Sequence, residues 1–326
     1  MVKCLKIFEV FYMRVFNEGN MYFATSYRED EIKCLAKAKP THLLTSFPMW
    51  SNKTEDKDLF KNLIERIGYQ PEQIIVDSGS FTFRDEDYGL DELVETYIEM
   101  MEEDGKEVDL NNEMDLILFA HWWFGEFEED FYNQDKNGFS LFQQYLNFLC
   151  VNGRYYDYCF SLDRMGDNEE SLLPYRIMKA LGFPVLPVYQ AAKVIDGAVL
   201  ATEDFHILEY YAKRSNYIGI GGTAISKVKG YTKQKRIDII RPILERFPDV
   251  KFHLLGTLDP AIIEACPELY SFDGQCWLQK VRKEEKIAQT IKYLNNKMTW
   301  FNHKRLEAQQ TLKITNNGQL EFNFAG

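Results

Sequence analysis

The chain has no CxxC pair, no HExxH helix, no Walker lysine and no serine elbow. These gaps remove the commonest zinc, P-loop and serine-hydrolase chemistries. Lys3, Lys6 and Glu9 interrupt the apolar N-terminal residues, so a signal-peptide core is lacking. No run approaches the roughly 20 apolar residues that span a bilayer. Positive charge is scarce: 38 Lys and Arg face 50 Asp and Glu, a formal net charge of -12. That balance argues against coating duplex nucleic acid by phosphate neutralisation, while leaving room for an enzyme with a local basic track. The six cysteines (4, 34, 150, 159, 266 and 276) are scattered, and Cys159 and Cys266 sit among apolar neighbours as small core residues. No internal repeat, low-complexity tract or flexible linker is present. The expectation is a reduced, soluble, cytoplasmic protein built as one elaborated domain over residues 1–326.

What the chain does have is 45% hydrophobic and 15% aromatic residues, enough for a large core. Six short apolar runs end on residues suited to chemistry: Ile74 to Asp77, Tyr158 to Asp163, Phe183 to Gln190, Tyr217 to Gly222, Lys251 to Gly256 and Leu269 to Asp273. Helical patterns alternate with them at Glu29 to Ala38, Asp56 to Ile67, Asn168 to Leu181, Glu203 to Lys213, Gln234 to Phe247, Pro260 to Ala265 and Glu284 to Asn295. Regular strand–helix alternation predicts parallel βα units with right-handed crossovers. Adding the apolar stretches Leu5 to Phe16 and His42 to Phe47 makes eight strands, so the expected fold is α/β, a (β/α)8 TIM-like barrel. Residues 91–152 are acidic and aromatic, too long for one crossover, and predict a mostly helical insertion on the catalytic rim. Residues 311–324 predict a C-terminal β-hairpin around Asn317-Gly318.

In such a barrel the strand ends share one rim. Asp77, in Asp77-Ser78-Gly79-Ser80-Phe81, is a carboxylate followed by a glycine that permits a sharp turn, or else an ordinary Asx turn. Asp273 lies between aromatics in Ser271-Phe272-Asp273-Gly274, where an unpartnered carboxylate is costly, unless it caps a helix. Asp163 has Arg164 and Asn168 nearby, which would make it a structural ion pair or cap. Gly221 and Gly222 let a ligand approach the backbone, but Ala224 breaks any GxGxxG fingerprint. His42 and His253 read as satisfied core histidines, and no histidine has a metal-ligand interval. Lys227, Lys229, Lys233, Lys235 and Arg236 follow the glycine corner, and Lys280, Arg282, Lys283 and Lys286 follow Asp273. Each cluster is either a solvated helix face or a phosphate track. Trp122-Trp123-Phe124 is either insertion core or a stacking surface for bases.

The ordered set Asp77-Ser78-Gly79-x-Phe81, Asp163, Gln190, Gly221-Gly222, Gly256 and Phe272-Asp273 resembles the tRNA-guanine transglycosylase superfamily, and leans toward its DNA-directed, DpdA-type phage and bacterial branch. The resemblance spans roughly Asp77 to Trp277 without the insertion. It implies Asp273 as nucleophile on C1′ of a guanine nucleotide and Asp77 as general acid/base. It further implies Asp163, Gln190, Ser78, Gly79, Gly221, Gly222 and Gly256 as the base pocket. The phosphate contacts would come from Lys227, Lys229, Lys233, Lys235, Arg236, Lys280 and Arg282. The implied substrates are DNA, or alternatively tRNA, together with a free 7-deazaguanine base, with no cofactor. The family's DSGGFQ motif reads DSGSFT here, and of its CxCxxC…H zinc set only Cys276 and His303 remain, so no zinc of that kind is expected. Rival expectations are a tRNA-guanine transglycosylase without zinc, a catalytically silent partner subunit, and a glycoside hydrolase using the same two carboxylates.

Overall fold

The structure is a computed structural model. It describes residues 21–274 except 26–27, 49–58, 81, 84–85, 134–138, 225–227, 229, 258 and 267. The barrel strands are β1 (Met21–Thr25), β2 (His42–Ser46), β3 (Gln73–Asp77), β4 (Tyr158–Phe160), β5 (Val185–Leu186), β6 (Val188–Gln190), β9 (Tyr217–Gly221), β10 (Lys251–Leu254) and β11 (Ser271–Gly274). Every pairing among them is parallel. The order β5-β4-β3-β2-β1-β11-β10-β9-β6 has the two halves of one run at its ends. Pro187 separates those halves: β5 pairs with β4, and β6 pairs with β9. Proline lacks the N–H a continuous ladder would need, and its carbonyl accepts from Gly219 N–H at 2.8 Å. Counting the split run once, eight staves follow one another in chain order and close. The fold is an α/β TIM-like barrel.

Two apolar sets account for the uninterrupted strand runs. Tyr22, Ala24, Leu44, Ile75, Phe160, Leu186, Val188, Tyr217 and Tyr270 pack together inside the barrel. The alternate residues, among them Phe23, Leu43, Ile74, Val76, Cys159, Tyr189, Ile218 and Phe252, join the larger outer core beneath the helices. Strands covered on both faces must be apolar at nearly every position. The wrapping helices are α1 (Glu29–Ala38), α2 (Leu59–Ile67), α6 (Asn168–Ala180), α7 (Phe205–Ala212), α8 (Lys233–Arg246) and α9 (Pro260–Ala265). Three of them start at side-chain caps: Asp167 accepts from Glu170 N–H, Thr232 from Lys235 N–H and Asp259 from Ala261 N–H.

The first stave corrects the sequence expectation. It is Met21–Thr25, fully buried, and not Leu5 to Phe16, which lies outside the described residues. Four apolar residues and a buried threonine are enough for a stave. The Glu284 to Asn295 helix and the 311–324 hairpin also lie outside the described residues.

Between β3 and β4 the chain forms α3 (Asp91–Glu103), α4 (Glu113–Asn133) and α5 (Leu141–Asn152), the last opened by a Ser140–Gln143 capping box. This insertion shares the outer core. Phe47, at the end of β2, packs on Tyr145 and Phe148, and Trp123 is fully buried in a stack on Phe142. Trp122 packs on Tyr97 and Phe119. These tryptophans are core, not an exposed stacking surface. A further hairpin, β7 (Ala192–Ile195) with β8 (Ala198–Ala201), follows Gln190. Its two-residue turn, Asp196-Gly197, has positive φ at both positions, the pattern of a type I′ turn.

Candidate active site

All the barrel strands run the same way, so their C-terminal ends deliver side chains to one rim. Ser46, Asp77, Gln190, Gly221 and Asp273 all stand at or near those ends, and Ser46 is the register partner of Asp77. Asp77 accepts hydrogen bonds from Gly79 N–H and Ser46 hydroxyl. Burial pushes its carboxyl up to about 7, helped by the charges of Asp273 and Asp163 and only partly offset by those two donors. Those influences put the three carboxylates near one another at the rim. The turn after Asp77 needs glycine: Gly79 has φ +79, and a β-carbon there would sit 2.0 Å from Pro48 Cγ.

Asp163 is buried, and burial raises its carboxyl to about 6. Neither neighbour suggested by the sequence partners its side chain. Arg164 pairs with Glu170 at 2.9 Å, and Asn168 bonds the Gln190 backbone and Asp204. Instead Asp163 Oδ1 accepts from Ser80 Oγ at 2.5 Å and Ser78 Oγ at 3.3 Å, while Oδ2 accepts from Gln190 Nε2 at 2.5 Å. Tyr88 donates to the Asp163 carbonyl at 2.6 Å. Gly166 N–H donates to Gln190 Oε1 at 3.3 Å, which orients that amide toward Asp163. A β-carbon on Gly221 would lie 2.6 Å from Gln190 Nε2, and one on Gly222 would lie 2.4 Å from the Ala192 carbonyl. The glycine corner is therefore the room that Gln190 and the following hairpin occupy.

Asp273 is buried, with Oδ1 accepting from Gly256 N–H at 2.7 Å and lying 3.1 Å from His253 Nε2. His253 was expected to be an ordinary core histidine. It is fully buried, yet its ring is bound directly to the rim carboxylate. The alternation of Lys251-Phe252-His253-Leu254 carries the signal that would have found it: His253 lies on the face toward the barrel interior, one residue before the strand end.

The basic residues divide. Lys233, Lys235 and Arg236 lie in the first turns of α8, beyond the glycine corner. Lys233 is held by Asp259 at 3.0 Å, and the Arg236 guanidinium lies over the Tyr231 ring, 5.0 Å from its centroid. Lys227, Lys229, Lys280 and Arg282 lie outside the described residues, as do Cys276 and His303. Among the described residues no group of three His, Cys, Asp or Glu side chains is arranged to hold a metal ion. None of their helices is long and apolar enough to cross a membrane. Cys159 and Cys266 are buried, and burial raises both thiols, Cys266 to about 11.

No protein-family model matches the chain, and no curated protein matches it in sequence. Among solved structures, one that it resembles is a 4-hydroxy-2-oxoglutarate aldolase/2-deydro-3-deoxyphosphogluconate aldolase from TTHB1. The two are 10% identical, with a TM-score of 0.40 over 85% of this chain and 93% of that one. The barrel assignment rests on the strand order and pairing above.

Proposed function

We propose that this chain is an enzyme, a DNA-guanine transglycosylase that exchanges guanine for a 7-deazaguanine base through a covalent glycosyl-enzyme. One observation carries the reading: two rim carboxylates near one another have different surroundings. Asp77 holds a proton until about pH 7, while Asp273 offers one oxygen to two donors and leaves the other for bond formation. A carboxyl held protonated by burial, beside a second carboxyl with different partners, suits the acid/base and nucleophile roles.

In the first displacement Asp273 Oδ2 bonds to C1′ as the C1′–N9 bond breaks, and the departing guanine takes the Asp77 proton. In the second, the incoming base gives its N9 proton to Asp77 and attacks C1′, and the C1′–Oδ2 electron pair returns to Asp273. Two inversions retain configuration, as in retaining glycosidases. Asp163 and Gln190 would read the base edge. Their mutual hydrogen bond must open when a base arrives, and Ser80, which stands where the family has glycine, keeps Asp163 supported as it does. A base inside a duplex must be flipped out to reach carboxylates as buried as Asp163 and Asp273.

The test is exchange of labelled guanine or a 7-deazaguanine into duplex DNA, single-stranded DNA and tRNA in parallel. Incorporation into DNA is expected. Exchange on tRNA alone would transfer the reading to the tRNA-directed relatives, and release of sugars from an oligosaccharide would favour a glycoside hydrolase.

A further inference from the structure

His253 belongs to a line of hydrogen bonds that the two-carboxylate scheme leaves unused. Its ring is enclosed by Tyr22, Phe160 and Tyr217, with centroids 5.4, 5.2 and 6.4 Å away. On one side Nδ1 lies 2.8 Å from Ser271 Oγ and 3.4 Å from Tyr217 hydroxyl, and those two hydroxyls are 2.7 Å apart. Tyr217 also bonds Tyr22, which donates to Gln73 at the start of β3. On the other side Nε2 meets Asp273 Oδ1. A nucleophilic carboxylate is ionised and only accepts, so the proton between the two sits on Nε2. Ser271 then donates to Nδ1, and the ring is fixed in one tautomer by neutral hydroxyls. Along this line Asp273 is the only carboxylate.

Resting on the reading of Asp273 as nucleophile, we propose that His253 is a positioning residue that sets how the covalent intermediate partitions. In the free enzyme Oδ1 shares a full negative charge, and hydrogen bonds to it are charge-assisted. In the glycosyl ester Oδ1 is a neutral carbonyl oxygen, and the same donors hold it about half as strongly. The Nε2–H and Gly256 N–H therefore favour the carboxylate over the ester. They assist cleavage of C1′–Oδ2, whose electron pair returns to Asp273, and hold back the adduct's accumulation. The ring also keeps Oδ1 turned toward β10, which leaves Oδ2 toward the mouth.

The experiment compares wild type with His253→Phe, which keeps the shape and removes the donor, and His253→Gln, whose amide N–H can reach the Nε2 position. Adduct on a guanine-containing oligonucleotide is quantified by mass, and its discharge is timed after a 7-deazaguanine is added. The Phe variant is expected to hold a larger adduct fraction and to discharge it roughly tenfold more slowly. The Gln variant should return to within a few-fold of wild type. A purely structural role would lower formation and discharge together, and that result, or Gln behaving like Phe, overturns the proposal. Should the Phe variant fail to fold, ¹⁵N NMR of the His253 ring in the wild type decides: an Nε2 without a proton overturns the assignment. Absence of any wild-type adduct on DNA or tRNA removes the transglycosylase reading and this inference with it. Failure of the Phe–Gln contrast in an active enzyme removes the inference alone.

Discussion

Asp77 and Asp163 illustrate how far a carboxyl can be pulled from its usual range by what surrounds it. Burial, then Asp273 and Asp163, raise Asp77 to about 7. A general acid must begin protonated, so the rate of the first displacement is expected to fall as pH rises through about 7. A pH profile of adduct formation that stays flat between 6 and 8 would remove that role. The same shift makes a stability statement. A carboxyl raised on folding is held more tightly as the acid, so the native state loses stability as pH climbs from the ordinary carboxylate range to about 7. Asp77→Asn removes that cost. It is expected to abolish exchange while raising Tm by a few degrees at pH 8, a gain that shrinks toward pH 5, as calorimetry at the two pH values would check. Asp163 is raised by burial and lowered most by Ser80. Ser80→Ala should move the Asp163 carboxyl above about 6, readable by ¹³C NMR of the aspartates, and an unmoved resonance would deny Ser80 that influence. Of these partners, the sequence made Asp77, Asp163, Gln190 and Asp273 visible because each ends an apolar run. It could not show that Ser80 rather than Arg164 partners Asp163, since that pairing joins residues 83 positions apart.

At the scale of elements, turns decide what the rim can hold. Gly79 combines a positive φ with a β-carbon position already filled by Pro48, whereas Gly197 has a positive φ at an open hairpin tip. Left-handed backbone alone costs an L-residue about 1–2 kcal/mol. Gly197→Ala should therefore lower unfolding free energy by about that much and leave catalysis intact. Gly79→Ala must in addition displace the Asp77 turn, so it should cost more stability and most of the activity. Denaturant melts of the two variants, with exchange assays beside them, test the ranking, and equal costs would contradict it. The Asp196-Gly197 hairpin is a local dipeptide signal. The strand break at Pro187 was legible as a proline but not as the place where the barrel changes partners. The starts of α1 and α9 fall at the expected residues, Glu29 and Pro260. Acidic first turns and an Asp-Pro cap are local features, and local features survive in sequence.

For the molecule as a whole, the insertion and the barrel share one core: Leu116, Phe119, Trp123, Phe142 and Tyr145 belong to the same apolar cluster as Leu43, Phe47, Ile74 and Val76. The two are expected to unfold together. Hydrogen exchange resolved by peptide should give 113–125 and the barrel strands the same opening at rising denaturant, and an insertion that opens first would show it to be a separate cooperative unit.

The amino-acid order by itself determined that parallel strands alternate with helices, because strands buried on both faces must be apolar throughout and their ends are free to carry polar groups. Tertiary structure alone decided which of those ends speak to one another. Pairing of β1 with β11 brings Asp77 and Asp163 to the rim that holds Asp273, and pairing of β10 with β11 lays His253 against Asp273. The physical reason is that a carboxyl's proton affinity depends on charges and donors within a few ångströms, and chain separation says nothing about such distances until the sheet has closed.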